Sequence, residues 1–218
     1  MKLAVIPQTV PAAAEPFDIR LARKTGRQWA SLPASVRRRF LKYVGARDCV
    51  VYRGHVVETR RNAIGAVLTQ ILRLIGAPLP LQAKTDDGPA VVTITRDAAS
   101  GGQIWTRQYA GPRGLPQIIH SVKAFAGPTG LEERIGAGFA MALTLEVAGD
   151  ALMFKSAGYR WRGFGLDLAL PHWLAPGDLT VGHHPAGDTA FHFTLDLIHP
   201  WFGELLHQRL YFEDMKEA

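Results

Sequence analysis

The chain is 218 residues long, 47% apolar, with a formal charge of +6 and a single cysteine, Cys49. That length suits one domain with a sizeable core. The lone cysteine excludes an internal disulfide and fits a reducing cytoplasm, and the apolar runs are too short for a transmembrane helix.

The charge is local. Nine of the 25 basic residues fall between positions 19 and 47, where there is no acid, leaving 16 basic against 19 acidic elsewhere. A confined basic block points to an anionic surface such as a membrane, or to an acidic partner, more than to a nucleic-acid groove.

Residues 1–28 carry early prolines and no sustained periodicity, and the opening stretch MKLAVIPQTVPAAAEPFD, with one Lys and no long apolar run, is not expected to be a secretory signal. They read as a flexible lead-in to a single α+β domain over residues 29–215. In SLPASVRRRFLKYVG, Ser31 or Ser35 is placed to cap a helix that Gly45 ends. Val36, Phe40, Tyr43 and Val44 form its apolar stripe, with Arg37, Arg38, Arg39 and Lys42 facing outward. The ordinary reading is a surface helix packed on the domain; the sharper one is a membrane-surface helix.

Val50–Glu58 reads as a strand broken by Gly54, and Asn62 caps a second, more apolar helix, AIGAVLTQILRLIG. With only Gln70 and Arg73 strongly polar, this helix is expected to be largely buried against a sheet, with the Gly76–Pro80 segment ending it. After a turn at Asp86-Asp87-Gly88 the chain becomes β. VVTITRD and QIWTRQYA form a hairpin, IIHSVKAF and GLEERIG follow as strands, and FAMALTLEVAGDALMFKSAGYRW is a long hairpin turning at Gly149-Asp150. FGLDLALPHWLAPGD reads as an apolar loop before the strand LTVGHH. Thr189–Phe212 closes the chain as a hairpin of strict alternation broken by His199-Pro200-Trp201-Phe202-Gly203. The expected fold is mostly β: a strongly curved antiparallel sheet of eight or nine strands, half-barrel or barrel, wrapped on the buried second helix.

Several pieces taken in order carry a resemblance. They are Leu32-Pro33 before the arginine run, Leu79-Pro80, Trp105-Thr-Arg107, Gly138-Phe-Ala-Met-Ala-Leu, Leu170-Pro171 with Leu174-Ala-Pro176, and Phe191-His-Phe193 through His199-Pro200 with Gly203. On these, the chain resembles a bacterial family classed only as a domain of unknown function. Its members occur alone or fused behind a saccharopine-dehydrogenase-like, NAD(P)-binding reductase domain. The departure is His207-Gln208-Arg209-Leu210, where a Tyr-x-Gly strand is expected. The resemblance implies a fold and a reductase partner, and no reaction.

His192, Thr194 and Asp196 share one strand face. Facing a cavity, His192 and Asp196 suit a general base and its orienter; facing solvent, they are ordinary polar positions. Trp105, Arg107 and Tyr109 share another face, and Arg160 lies beside Trp161. A cation among aromatic rings suits a carboxylate or phosphate head with an apolar tail, or simply stacks on its neighbours. His199 and Trp201 sit at a loop tip, as rim contacts or as an apolar entrance. The eight histidines show no metal-ligand spacing, and adjacent His183 and His184 point to opposite faces, so no metal site is expected. There is no GxSxG, no Ser-x-x-Lys and no Gly-rich phosphate cradle, so no cofactor is expected.

Three readings of function follow. The first is a module holding a hydrophobic or lipid-like small molecule in a curved-sheet cavity, accessory to a reductase. The second is an isomerase or cyclase using His192, Asp196 and Arg107. The third is a cytoplasmic, membrane-peripheral adaptor docked through Arg37, Arg38, Arg39 and Lys42.

Overall fold

The computed structural model describes residues 15–74, 76, 79–80, 88–111 and 116–215. The lead-in up to residue 14, Ala77 and Pro78 of the expected stop of the second helix, and Asp86-Asp87 lie outside the described residues. Eleven strands follow one another: β1 (Val50–Arg61), β2 (Pro89–Arg96), β3 (Gln103–Tyr109), β4 (Gln117–Ala124), β5 (Glu132–Gly136), β6 (Phe139–Ala148), β7 (Ala151–Gly163), β8 (Leu166–Ala169), β9 (Asp178–Pro185), β10 (Ala190–His199) and β11 (Gly203–Asp214). All their pairings are antiparallel, in the order β6-β5-β4-β3-β2-β1-β11-β10-β9-β7-β8, and β6 also pairs with β7. The sheet therefore closes into a ten-stranded barrel, with β8 outside it on the end of β7.

The barrel is larger and more closed than the expected eight or nine strands. The tenth strand is β1, which precedes α3 and pairs with both β2 and β11. Outside the barrel, β8 lies in the stretch read as a loop; all four of its residues are exposed, so no face alternation marks it as a strand. Closure rests on β7 pairing with two barrel strands at once, β6 and β9. Residues Leu152–Lys155 pair with β9, whereas Arg160–Gly163 pair with β8. Between these runs the wall is joined by side chains: the Leu179 amide donates to Ser156 Oγ at 2.9 Å, and the Tyr159 hydroxyl donates to the Gly177 carbonyl at 2.9 Å.

The period-2 pattern decides what faces inward. On β10, Phe191, Phe193, Leu195 and Leu197 are buried while His192, Thr194 and Asp196 lie on the outer face. Leu206, Leu210 and Phe212 of β11 and Val92 and Ile94 of β2 complete the same interior. Gly54 does not break β1. It lies mid-strand, where a Cβ would fall 1.8 Å from the Tyr211 carbonyl, so the glycine permits the close approach of β1 to β11.

One end of the barrel is closed by α1 (Phe17–Thr25), a 3-10 turn (Gly26–Ser31) and α2 (Ala34–Phe40). Residues 17–28, read as lead-in, are thus ordered in helix: Phe17, Leu21 and Thr25 recur four apart and are buried. The basic helix, the first of the two expected from the sequence, is shorter than expected. It starts after Pro33 with no side-chain cap and ends at Phe40, leaving Tyr43 exposed. Arg39, expected outside, is 6% exposed, with its guanidinium 3.7 Å from the Phe191 ring centroid. Its position next to Phe40 on a helix wedged into the barrel end forces it inward.

At the opposite end, α3 (Ala63–Leu74) lies across the mouth. Asn62 caps it as expected, accepting the Gly65 amide at 2.7 Å, and its Nδ2 donates to the Phe202 carbonyl. The helix is not the buried hub its composition suggested: only Gly65 and Thr69 are buried, and Ile64, Val67, Ile71 and Leu74 are exposed. A Cβ on Gly65 would stand 1.9 Å from the Leu205 carbonyl, so the small Gly65–Thr69 face seats the helix on the rim. The barrel interior is filled instead by its own side chains.

Candidate functional site

The interior has an apolar upper half and a charged middle. Trp105, Arg107 and Tyr109 project inward from β3, Ser121 and Lys123 from β4, and Glu133 from β5. Direct pairing of Lys123 with Glu133 in the β4–β5 register sets their side chains together. Lys123 Nζ donates to Glu133 Oε2 at 2.9 Å, Ser121 donates to Glu133 Oε1, and Arg107 Nη2 reaches Oε1 at 3.3 Å. Burial alone would raise the Glu133 carboxyl, but Lys123, Arg107 and Ser121 hold it down to about 2. Lys123 is pushed down from its ordinary value by burial and by neighbouring Arg107, against the pull of Glu133. Its ammonium also faces the Trp105 ring at 4.9 Å.

Below this network lies His183, 1% exposed, ringed by Phe40, Trp105, Phe154, Phe191 and Phe193. Burial, with Arg39 and Lys123 nearby, pushes it well below its usual range, so it stays neutral. Its Nδ1 has no hydrogen-bond partner, and neither has the buried Nε of Arg107. Tyr109 donates to Gln208, which donates in turn to Thr59; burial pushes the Tyr109 phenol up to about 12.

Above the network, a cavity of about 80 Å³ is walled by Ile119, Met141, Val181, Leu195 and Leu197, with Arg107, Ser121 and Glu133 on its floor. It adjoins a second cavity of about 360 Å³ under α3, with which it shares Leu72, Ile135, Tyr159 and Pro176. That upper space is lined by Ile64, Leu68, Ile71, Phe139, Leu174 and Phe202, among others, and includes open solvent at the mouth. Arg107 also borders a crevice of only about 10 Å³ that reaches Trp105 and His183. The space under α3 lies within the size range of small-molecule pockets, and the deeper cavity extends it toward Arg107.

The residues singled out in the sequence divide between this cavity and the outside. Arg107 lines the two deeper voids, Trp105 and Tyr109 the smallest, and His199 the mouth, where it stacks on Phe202 at 4.7 Å. Trp201 is 70% exposed on the turn beside it. Arg160 and Trp161 do not join them: Arg160 pairs with Asp167 on the outer β8, and the Trp161 indole donates to the Ala137 carbonyl. His192 and Asp196 lie on the outer face of β10, where His192 is near the Tyr211 ring and Asp196 accepts from His207. The barrel wall separates them from Arg107, so the convergence required of a catalytic trio is absent. Asp196, Glu204 and His207 do approach one another there, but Asp196 is already engaged by His207 and Glu204 by Arg60. Of the basic helix, Arg38 is exposed, Arg39 is buried and Lys42 is paired with Asp214.

Sequence reasoning missed Ser121, Lys123, Glu133 and His183. The signal for the first two was present: alternation puts Ile119, Ser121 and Lys123 on one face, so a buried Ile implies a buried Lys.

Among the described residues no helix is long and apolar enough to cross a membrane. A family model described as a domain of unknown function (DUF4166) matches residues 32–212. No curated protein and no solved structure matches the chain. The match covers most of the sequence, and the chain belongs to that family.

Proposed function

We propose that this member of the DUF4166 family is a binding module that holds a hydrophobic small molecule inside its barrel. The observation that carries the reading is the pair of adjoining apolar voids beneath α3, walled by Ile119, Met141, Leu195 and Leu197 and opening at a rim of aliphatic and aromatic side chains. A closed wall excludes water from the interior, so each apolar group that enters gains transfer free energy of about 25 cal/mol per Å² buried. Small-residue seating of α3 supports its use as the cover of the mouth, because Gly65 and Thr69 hold the helix while its larger side chains face the opening.

The test is native mass spectrometry of the full chain purified from its own host, followed by denaturation and identification of any released compound. A stoichiometric apolar molecule present on the wild-type chain and missing from a folded Leu195→Trp variant, which fills the deeper void, is the expected result. A wild-type chain that is empty and also takes up no long-chain apolar probe would overturn the reading.

A further inference from the structure

The polar floor of the cavity is unbalanced in both charge and hydrogen bonding. Two cationic side chains, Arg107 and Lys123, face one carboxylate, Glu133. Glu133 has its acceptors engaged by Lys123, Ser121 and Arg107, so it has little left to offer a ligand donor. Arg107 is the opposite case. Its guanidinium makes one long contact to Glu133, its Nε is buried without a partner, and it is the cation that borders the void. With 12% of its side chain exposed against 3% for Lys123, it is also the group an incoming molecule meets first. Donors exceed acceptors on this floor, and positive charge exceeds negative.

Resting on the reading of the barrel as a ligand container, we infer that the bound molecule is an amphipathic monocarboxylic acid. Its carboxylate sits on Arg107 at mid-barrel and its apolar tail runs up toward α3. A single negative charge balances the one uncompensated cation, and a planar carboxylate matches the guanidinium fork. A cationic head would add to the excess, and a neutral head would leave it in place. The walls above the floor are mainly apolar, with Ile119, Met141, Leu195 and Leu197 giving way to Leu72 and Ile135 toward the mouth; the Tyr159 hydroxyl is engaged by the Gly177 carbonyl, and His120 and His199 are neutral-or-cationic groups with no anion to offer. Balancing the excess also relieves the pressure of Arg107 on the Lys123 ammonium, so the acid and the Lys123 proton favour each other.

The experiment uses the full chain stripped of bound compounds, with palmitate and hexadecan-1-ol as probes of equal chain length. Affinity is followed by intrinsic tryptophan fluorescence and the carboxyl carbon of [1-13C]palmitate by NMR. Palmitate should bind at least tenfold more tightly than hexadecanol, and its bound carboxyl should stay ionised to lower pH than in free solution. Arg107→Met should erase the preference and leave the alcohol unaffected, while Arg107→Lys should keep part of it. Equal binding of acid and alcohol by the wild-type chain overturns the acid while the container stands. Binding of neither probe overturns both, and the wild-type comparison holds even if the variants fail to fold.

Discussion

Replacing Glu133 by Gln removes the one anion that two buried cations share. In the folded chain Lys123, Arg107 and Ser121 hold this carboxyl at about 2, against an ordinary value of 4.5. Each unit is worth about 1.4 kcal/mol, so ionised Glu133 contributes on the order of 3 kcal/mol. Its folded value is depressed, so that contribution is fully present above the unfolded value near 4.5 and is lost as pH falls toward 2. A neutral amide at this position leaves Lys123 and Arg107 without a counter-charge, a change that costs roughly 3–5 kcal/mol in buried pairs. Urea unfolding of wild type and Glu133→Gln at pH 7, 5 and 3 measures this directly. The other carboxylates titrate alike in both proteins and cancel in the difference. The gap between the two proteins should be roughly 3–5 kcal/mol at pH 7 and should narrow as the wild-type carboxyl protonates. Adding Lys123→Met to Glu133→Gln should restore part of the loss. A difference below about 1 kcal/mol at pH 7, or one that does not change with pH, would refute the network as the origin of stability here.

Gly65→Ala drives a methyl group into the Leu205 carbonyl and should lift α3 from the rim. Overpacking of this kind costs about 1–3 kcal/mol, seen as a lower melting temperature together with faster exchange of any bound probe. On the outer wall, His192→Ala and Asp196→Asn touch neither the cavity nor its cover. Each should change stability by no more than about 0.5 kcal/mol and leave probe affinity at the wild-type value; a tenfold loss of affinity in either would reopen the outer face as a site.

Local pattern carried much of the fold. The final hairpin, the Gly149-Asp150 turn and the Asn62 cap all follow from alternation and turn chemistry within a few residues. Closure did not, because it depends on β7 pairing with β9 and β1 with β11, contacts between segments whose mutual register no short window contains. The role of α3 was misread for a related reason. An apolar composition marks what a helix can bury, but Gly65 and Thr69, the least conspicuous residues in it, decided which side met the protein. At the site, Trp105 and Arg107 were visible as an aromatic-cation pair on one strand. Their partners were not, since Lys123 and Glu133 become neighbours only through the β4–β5 pairing.

The wall between β7 and β9 changes character along its length. Low in the barrel it is a backbone ladder over Leu152–Lys155; higher up it is held by the Ser156–Leu179 and Tyr159–Gly177 hydrogen bonds. An external groove lies against Ser156, Tyr159 and Gly177 on the outer side, and the internal void lies against Tyr159 and Leu179 on the inner side. Opening the wall here breaks isolated side-chain bonds one at a time, whereas any stretch of continuous ladder must give way cooperatively. Hydrogen exchange is therefore expected to be faster at the Leu179 amide than along the Leu152–Lys155 ladder.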